Sequence, residues 1–236
     1  MIVHKAQHIM GSLLDLLFPP RCVGCKSSGR ILCPACIAKI QPLKSPLCAH
    51  CGMPTTPGLS CQRCSYHHLR LSGLHSVSAY QEPLRSFIHA FKYEGKTRLA
   101  APLGALLAHK YRASGLHVDM IIPVPLHSER LRQRGYNQAQ LLAVACATEL
   151  GIPQSAALLV RGRPTAAQVH LSPADRQQNV AGAFLLAPAY ARVLRGRKIL
   201  LIDDVCTTGA TLEACAAPLF AAGASGVWGL VLARPL

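Results

Sequence analysis

Apolar residues in this chain fall into two regimes. Beyond about residue 118 they gather in unbroken runs and helix-spaced stripes, whereas between residues 22 and 64 they are scattered among cysteine, proline and glycine. The run Ile199-Leu200-Leu201-Ile202, opened by Lys198 and closed by Asp203-Asp204, has the length of a buried parallel strand. Residues 118–126 predict a second buried strand running into a constrained turn at Pro123-Val124-Pro125-Leu126. Residues 226–233 predict a last strand, and residues 156–160 and 180–186 are strand-like. Two helices are expected, one over residues 139–150 with Leu141, Leu142 and Ala145 on an apolar stripe. The other is Ala- and Leu-rich and ends near Ala222. Near the start, Ile9, Leu13, Leu16 and Leu17 share one helical face, which suits packing on a core better than lying on a membrane.

Half of the 236 residues are apolar and 15% are charged, a balance that supports a buried core. The length suits one α/β domain plus a smaller module, expected as residues 1–70 and 71–236. The apolar patch at residues 13–18 is broken by Asp15 and lacks a small-residue cleavage site, so it reads poorly as a signal peptide. No stretch approaches the roughly 20 apolar residues of a transmembrane segment, and a cytoplasmic location is expected. Lys and Arg number 25 against 10 Asp and Glu, a formal charge of +15 that favours an anionic partner.

Four identical turns, Cys22-x-x-Cys25, Cys33-x-x-Cys36, Cys48-x-x-Cys51 and Cys61-x-x-Cys64, lie within 43 residues. Each points two sulfurs at one metal, and two turns complete a closed tetrahedral shell, so four supply two structural zinc sites. Sequential pairing is the simplest, with a crossed pairing as its rival. Four disulfides are the other reading, but nothing directs this chain to secretion. A segment so poor in apolar residues draws most of its folding free energy from the metal. With eight thiolates and two divalent zinc ions counted, the charge falls by four units to +11. His50, His67 and His68 read as solvated, and Cys146 and Cys215 as core residues.

The carboxyl end of the 198–202 strand carries Asp203, Asp204, Val205, Cys206, Thr207, Thr208, Gly209, Ala210 and Thr211, and then the helix. Two carboxylates before a hydroxyl- and glycine-containing turn can hold a ribose diol, while the helix N-terminus and threonine hydroxyls hold a phosphate. The chain has no G-x-x-x-x-G-K-[ST] loop. The nonapeptide is similar to the phosphoribosyl-pyrophosphate (PRPP) signature of type I phosphoribosyltransferases, with Cys206 at a variable position. Arg130, Arg132 and Arg134 follow the second strand at spacing two; they suit pyrophosphate, and equally suit a solvated basic loop.

Phe18-Pro19-Pro20-x-Cys22, the cysteine turns, Phe91-Lys92-Tyr93-x-Gly95, Pro123-Val124-Pro125-Leu126, Arg134-Gly135-Tyr136-Asn137-Gln138, Arg176-x-x-Asn179-Val180 and the 203–211 loop together resemble the competence protein F (ComF) family. The match keeps its order over nearly the whole chain. The resemblance implies a type I phosphoribosyltransferase fold, a mainly parallel sheet flanked by helices, behind a zinc ribbon. It implies PRPP and Mg²⁺ binding and a part in taking up single-stranded DNA during natural transformation, with other DNA-uptake proteins as partners. By the same resemblance Val124, Pro125 and Leu126 form the pyrophosphate loop, residues 161–178 a hood loop, and Lys92 lies near the PRPP; Arg130 and Arg134 are PRPP-binding candidates from their place after the second strand.

Turnover would place Asp203 and Asp204 at the reacting sugar, since pyrophosphate departure leaves an oxocarbenium-like centre stabilised by charge and positioning. The acceptor is not named by the sequence. Only one helix and a strand follow the loop, so an acceptor pocket has to come from the zinc module or from residues 75–95. Two other classes remain, a PRPP sensor without turnover and a single-strand DNA-binding adaptor. Carboxylates that repel a DNA backbone and a total of 12 aromatic residues weigh against the pure adaptor.

Overall fold

A computed structural model describes residues 19–56, 61, 64, 70–162 and 182–236. Its strands are β1 (Gly73–Ala79), β2 (Met120–Pro123), β3 (Leu159–Arg161), β4 (Phe184–Leu186), β5 (Lys198–Val205) and β6 (Gly226–Arg234). Four of them form one sheet in the order β1-β6-β5-β2, every neighbouring pair parallel, while β3 and β4 make a separate antiparallel ribbon. The helices are α1 (Pro34–Ile37), α2 (Leu84–Tyr93), α3 (Ala100–Ala113), α4 (Ser128–Arg134), α5 (Gln138–Leu150) and α6 (Ala210–Ala221). The expected architecture, a mainly parallel sheet flanked by helices behind a cysteine-rich module, is the one observed.

The period of two in β5 divides the core. Leu200 and Ile202 pack toward α2, α3 and α5, and Ile199 and Leu201 toward α6 and the β3–β4 ribbon. Both faces of the strand are therefore dry, which is why its apolar run is continuous. The α3–α5 seam is tight: a Cβ on Gly104 would come within 2.4 Å of the Ala145 Cβ, so these two backbones can approach only through glycine. Cys146 and Cys215 are fully buried in the two halves of the core, and burial pushes the Cys146 thiol up to about 12. The free edge of β2 is covered by the segment after α5, where the Ile121 amide donates to Pro153 and the Ser155 amide donates to Ile121.

Sequence and structure differ at several ends. The second strand is confined to Met120–Pro123, and its helix starts at Gln138 behind an Asn137 cap whose side chain accepts from the Ala139 amide. The arginine segment is a helix, α4, and not a loop. The His127 side chain caps its start and Gly135, at φ 81°, closes its end. The expected N-terminal helical face at residues 9–17, His67, His68, residues 163–178 of the hood loop, and Asn179 and Val180 lie outside the described residues.

The cysteine-rich module is seated on the sheet domain. Cys22, Leu32 and Cys36 belong to the same core as Phe87 and Phe91 of α2. Pro42 bridges to Ser78 of β1, and the Ser78 hydroxyl donates to the Gln41 carbonyl at 2.5 Å. Arg234, fully buried at the end of β6, donates from Nη1 to the Cys51 carbonyl. No helix among the described residues is long and apolar enough to cross a membrane.

Candidate functional site

Each cysteine quartet converges on a point. Cys22, Cys25, Cys33 and Cys36 form one cluster and Cys48, Cys51, Cys61 and Cys64 the other, with the sulfurs of each set within 4.8 Å of one another. Sequential pairing is thus the observed grouping. The hairpin bridges Arg21–Ser28 and Leu47–Pro54 carry the first pair of each set, and α1 carries Cys36 one turn after Cys33. Tetrahedral zinc with bonds of about 2.3 Å holds its sulfurs about 3.8 Å apart. The separations Cys25–Cys33, 3.6 Å, Cys48–Cys64, 3.7 Å, and Cys51–Cys61, 3.5 Å, fit that ion without rearrangement. Four thiolates fill the shell, so zinc here holds the fold and leaves no position for a substrate.

The second site lies at the carboxyl end of the parallel sheet, where open α/β folds bind ligands. Asp203 and Asp204 stand at the end of β5, and the Asp204 amide donates to the Asp203 carboxylate at 2.8 Å. Past them, Cys206 is buried and its amide donates to the Ala233 carbonyl at the end of β6. The chain then turns through Thr207 and Thr208 to Gly209, whose φ of 94° lets it cap α6 in a left-handed conformation closed to most side chains. The Thr208 hydroxyl accepts from the Ala210 amide at 3.3 Å. Thr207, Thr208 and Thr211 are half-buried, beside the amide-bearing end of α6.

Val124 sits next to this pair because its amide donates to the Ile202 carbonyl, one residue before Asp203. Pro125 and Leu126 follow, half-buried. Asn137 Nδ2 donates to the Val124 carbonyl, so one residue caps α5 and fixes the Val124–Pro125 turn. The Tyr136 hydroxyl donates to the Phe91 carbonyl, and the Arg134 guanidinium lies 5.2 Å from the Tyr93 ring centre while donating to Gln138 Oε1 at 2.6 Å. Two distant sequence motifs therefore form one assembly, and it presents Lys92, whose ammonium is 2.6 Å from Asp204 Oδ1.

Electrostatics separate the two carboxylates. Burial, with the Asp204 charge next, pushes the Asp203 carboxyl up to about 7, against the opposing pull of Lys92, the Asp204 amide and Arg161. Burial by itself lowers Lys92, but Asp204, helped by Asp203 and Tyr93, outweighs it and the ammonium is held above its usual range. Arg161, at the end of β3 and over the Phe184 ring, is depressed first by burial and then by Arg130. Sequence reasoning placed Arg161 only at the start of a hood loop. Its electrostatic reach to Asp203 and Arg130 puts it beside the cradle, and it has no local motif that would have revealed this. Arg134 is turned onto Tyr93 and Gln138, Arg130 is half-buried, and Arg132 is exposed.

Comparison with known proteins adds three findings. Residues 13–65 match the double zinc ribbon domain family. The DNA utilization protein YhgH of Salmonella typhimurium is 36% identical over 211 residues, 87% of this chain and 91% of that protein. Competence protein F of Haemophilus influenzae is 34% identical over 225 residues, 90% and 97%, and competence protein ComFC of Bacillus subtilis 26% over 208, 81% and 79%. Among solved structures, adenine phosphoribosyltransferase from Leishmania donovani is similar over 62% of this chain and 68% of its own, at 17% identity and a TM-score of 0.38. The Trypanosoma brucei enzyme is similar over 60% and 66%, at 14% identity and a TM-score of 0.37.

Proposed function

Because the chain belongs to the competence protein F family, whose relatives carry names of competence and DNA utilization, we propose that it binds PRPP with Mg²⁺ in the β5–α6 cradle and serves the uptake of single-stranded DNA. The observation that carries the reading is the acidic pair at the end of β5 running straight into the Gly209-capped start of α6. Asp203 and Asp204 accept the ribose hydroxyls, and the α6 amides with Thr207, Thr208 and Thr211 hold the 5′-phosphate. The Val124–Pro125–Leu126 turn, Arg130 and Arg134 lie on the pyrophosphate side. Lys92 pairs with Asp204 at 2.6 Å. Mg²⁺, entering with the PRPP beside Asp203 and Asp204, would supply charge neutralisation there.

Residues 1–70 are the zinc-ribbon unit in this reading and 71–236 the phosphoribosyltransferase-like unit, in the cytoplasm and acting with other DNA-uptake proteins. Titration with PRPP and Mg²⁺ tests it. Binding should saturate and should be abolished in Asp203→Asn with Asp204→Asn; unchanged binding in that double variant rejects the cradle.

A second reading, a DNA adaptor, draws on one specific feature: the short helix α4 carries Arg130, Arg132 and Arg134, with Arg132 exposed, on a chain of +15. Replacing the three by Ala should weaken single-strand binding at low salt and flatten its salt dependence. Unaltered binding removes α4 from the DNA surface.

A further inference from the structure

The cradle occupies the carboxyl ends of the parallel strands, and their amino ends carry the opposite charge. The turns that enter β1, β6, β5 and β2, residues 70–72, 222–225, 194–197 and 117–119, hold a single carboxylate, Asp119. Leading into β5, Arg192-Val193-Leu194-Arg195-Gly196-Arg197-Lys198 supplies four cations, and every residue of it except Leu194 is exposed. Leu194 is fully buried and anchors the segment.

This basic run differs from a solvated loop in that its backbone is fixed. The Arg197 amide donates to the Leu194 carbonyl at 3.0 Å, the Gly196 amide to the Gly223 carbonyl at 2.8 Å and the Ser225 amide to the Arg197 carbonyl at 2.9 Å. The Ser225 hydroxyl donates to the Gly196 carbonyl at 2.9 Å, and the Lys198 amide to the Asp119 carboxylate at 2.7 Å. None of these bonds uses a cationic head group. Asp119 is already taken up by the Lys198 amide and by Arg197, whose guanidinium is 3.5 Å away. Arg192, Arg195 and Lys198 have no carboxylate partner among the described residues. Three cations thus stand unbalanced on a preset backbone, so a ligand would order little beyond their side chains.

Position and chemistry identify the partner. From Lys198 to Asp203 β5 runs five residues, about 17 Å at roughly 3.3 Å per residue. That is about twice the screening length of about 8 Å at physiological salt, so a polyanion on this edge escapes the repulsion of Asp203 and Asp204. A strand laid on α4 does not, because Arg134 lies over Tyr93, next to the Lys92 that pairs with Asp204. Three of the four cations are arginines, whose planar fork matches phosphate oxygens in pairs. Their spacing along the segment suits successive phosphates of a chain better than one small anion. Val193, 46% exposed, is the only apolar side chain that the segment shows to solvent, too little to seat it in a lipid layer.

We propose that this amino-terminal edge of the sheet is a track for the phosphate backbone of single-stranded DNA, separate from both the cradle and α4. The inference rests on the DNA-uptake reading. A strand on the track and PRPP in the cradle occupy opposite ends of the same β-strands, so neither displaces the other.

The test titrates the full, zinc-loaded chain with a short mixed-sequence oligodeoxynucleotide over a range of salt, with PRPP and Mg²⁺ absent or saturating. Arg192→Ala with Arg195→Ala and Lys198→Ala removes three phosphate contacts. Binding at low salt should weaken at least about tenfold, and the slope of log affinity against log salt should fall by about 2, at about 0.7 per single-strand contact. PRPP affinity, zinc content and circular dichroism should stay unchanged, and saturating PRPP should leave the parent's DNA affinity as it was. Arg192→Glu alone, which leaves β5 untouched, is the second variant and should also weaken DNA. If the parent binds the oligonucleotide and both folded variants match it in affinity and slope, the track is overturned while the DNA-uptake reading stands. A parent that binds no oligonucleotide defeats that reading and the track with it. Displacement of DNA by PRPP would put the strand at the cradle and overturn the track. Vesicles of equal phosphatidylglycerol and phosphatidylcholine probe the lipid alternative: edge-dependent binding to them, without edge-dependent binding to DNA, also overturns it.

Discussion

Lys92 and Asp204, brought together from α2 and β5, form an ion pair of 2.6 Å, with their side chains 19% and 9% exposed. A pair this enclosed gains little over an apolar substitute, but breaking one side strands a charge. Lys92→Ala should therefore lower the unfolding free energy by about 3 kcal/mol. Lys92→Arg should recover part of it. Urea unfolding of both variants checks this, and an alanine variant as stable as the parent would show that Asp204 finds another cation.

Asp203 should give the protein an unusual pH response. Its carboxyl titrates at about 7 when folded and at about 3.9 in an unfolded chain. Between those values the folded state binds the extra proton, so this group's contribution is full below pH 4 and is lost as pH rises through 7. Asp203→Asn should flatten that fall and be relatively more stable at pH 8. PRPP, whose hydroxyls need an ionised acceptor, should bind more tightly from pH 6 to pH 8. Denaturation and titration series at several pH values read both.

Metal removal should reach beyond the cysteine hairpins. Native mass spectrometry is expected to show two zinc ions per chain, one in Cys51→Ser and two in Cys206→Ser. Stripping both ions with a chelator should lower the melting temperature of the sheet domain too, since Cys22 and Cys36 share a core with Phe87. An unchanged melt would mean that the module is merely tethered.

Two glycines should separate stability from binding. Gly104→Ala forces a methyl group against Ala145 and should cost about 1–3 kcal/mol without changing PRPP affinity. Gly209→Ala strains the 94° cap by about 1–3 kcal/mol and re-aims the first amides of α6, so it should also weaken PRPP. Equal loss of affinity in both would point to general loosening.

The central strands and the cradle were legible because a doubly buried strand writes itself as an apolar run and the acidic pair and glycine follow without interruption. β1 was hidden for the opposite reason. Ser76 and Ser78 are polar yet buried, and they are satisfied by the Ser78 and Gln41 carbonyls, partners that only the fold supplies. The arginines at spacing two masked α4, although Glu129 in its first turn and Gly135 after its last were readable helix signals. That Arg161 approaches Asp203, and that Tyr136 grips Phe91, are products of long-range packing and left no trace in local pattern.

The Arg234 grip on the Cys51 carbonyl joins residues 183 positions apart. Tyr80 lies on the same junction, its amide donating to the Arg234 carbonyl. A chain emerging from the ribosome can load the second cysteine quartet early, but it can latch that quartet to Arg234 only after the 183 further positions that separate the two have been made. Metal loading thus precedes docking, and a polypeptide stopped short of residue 234 would carry its loaded quartet without this latch.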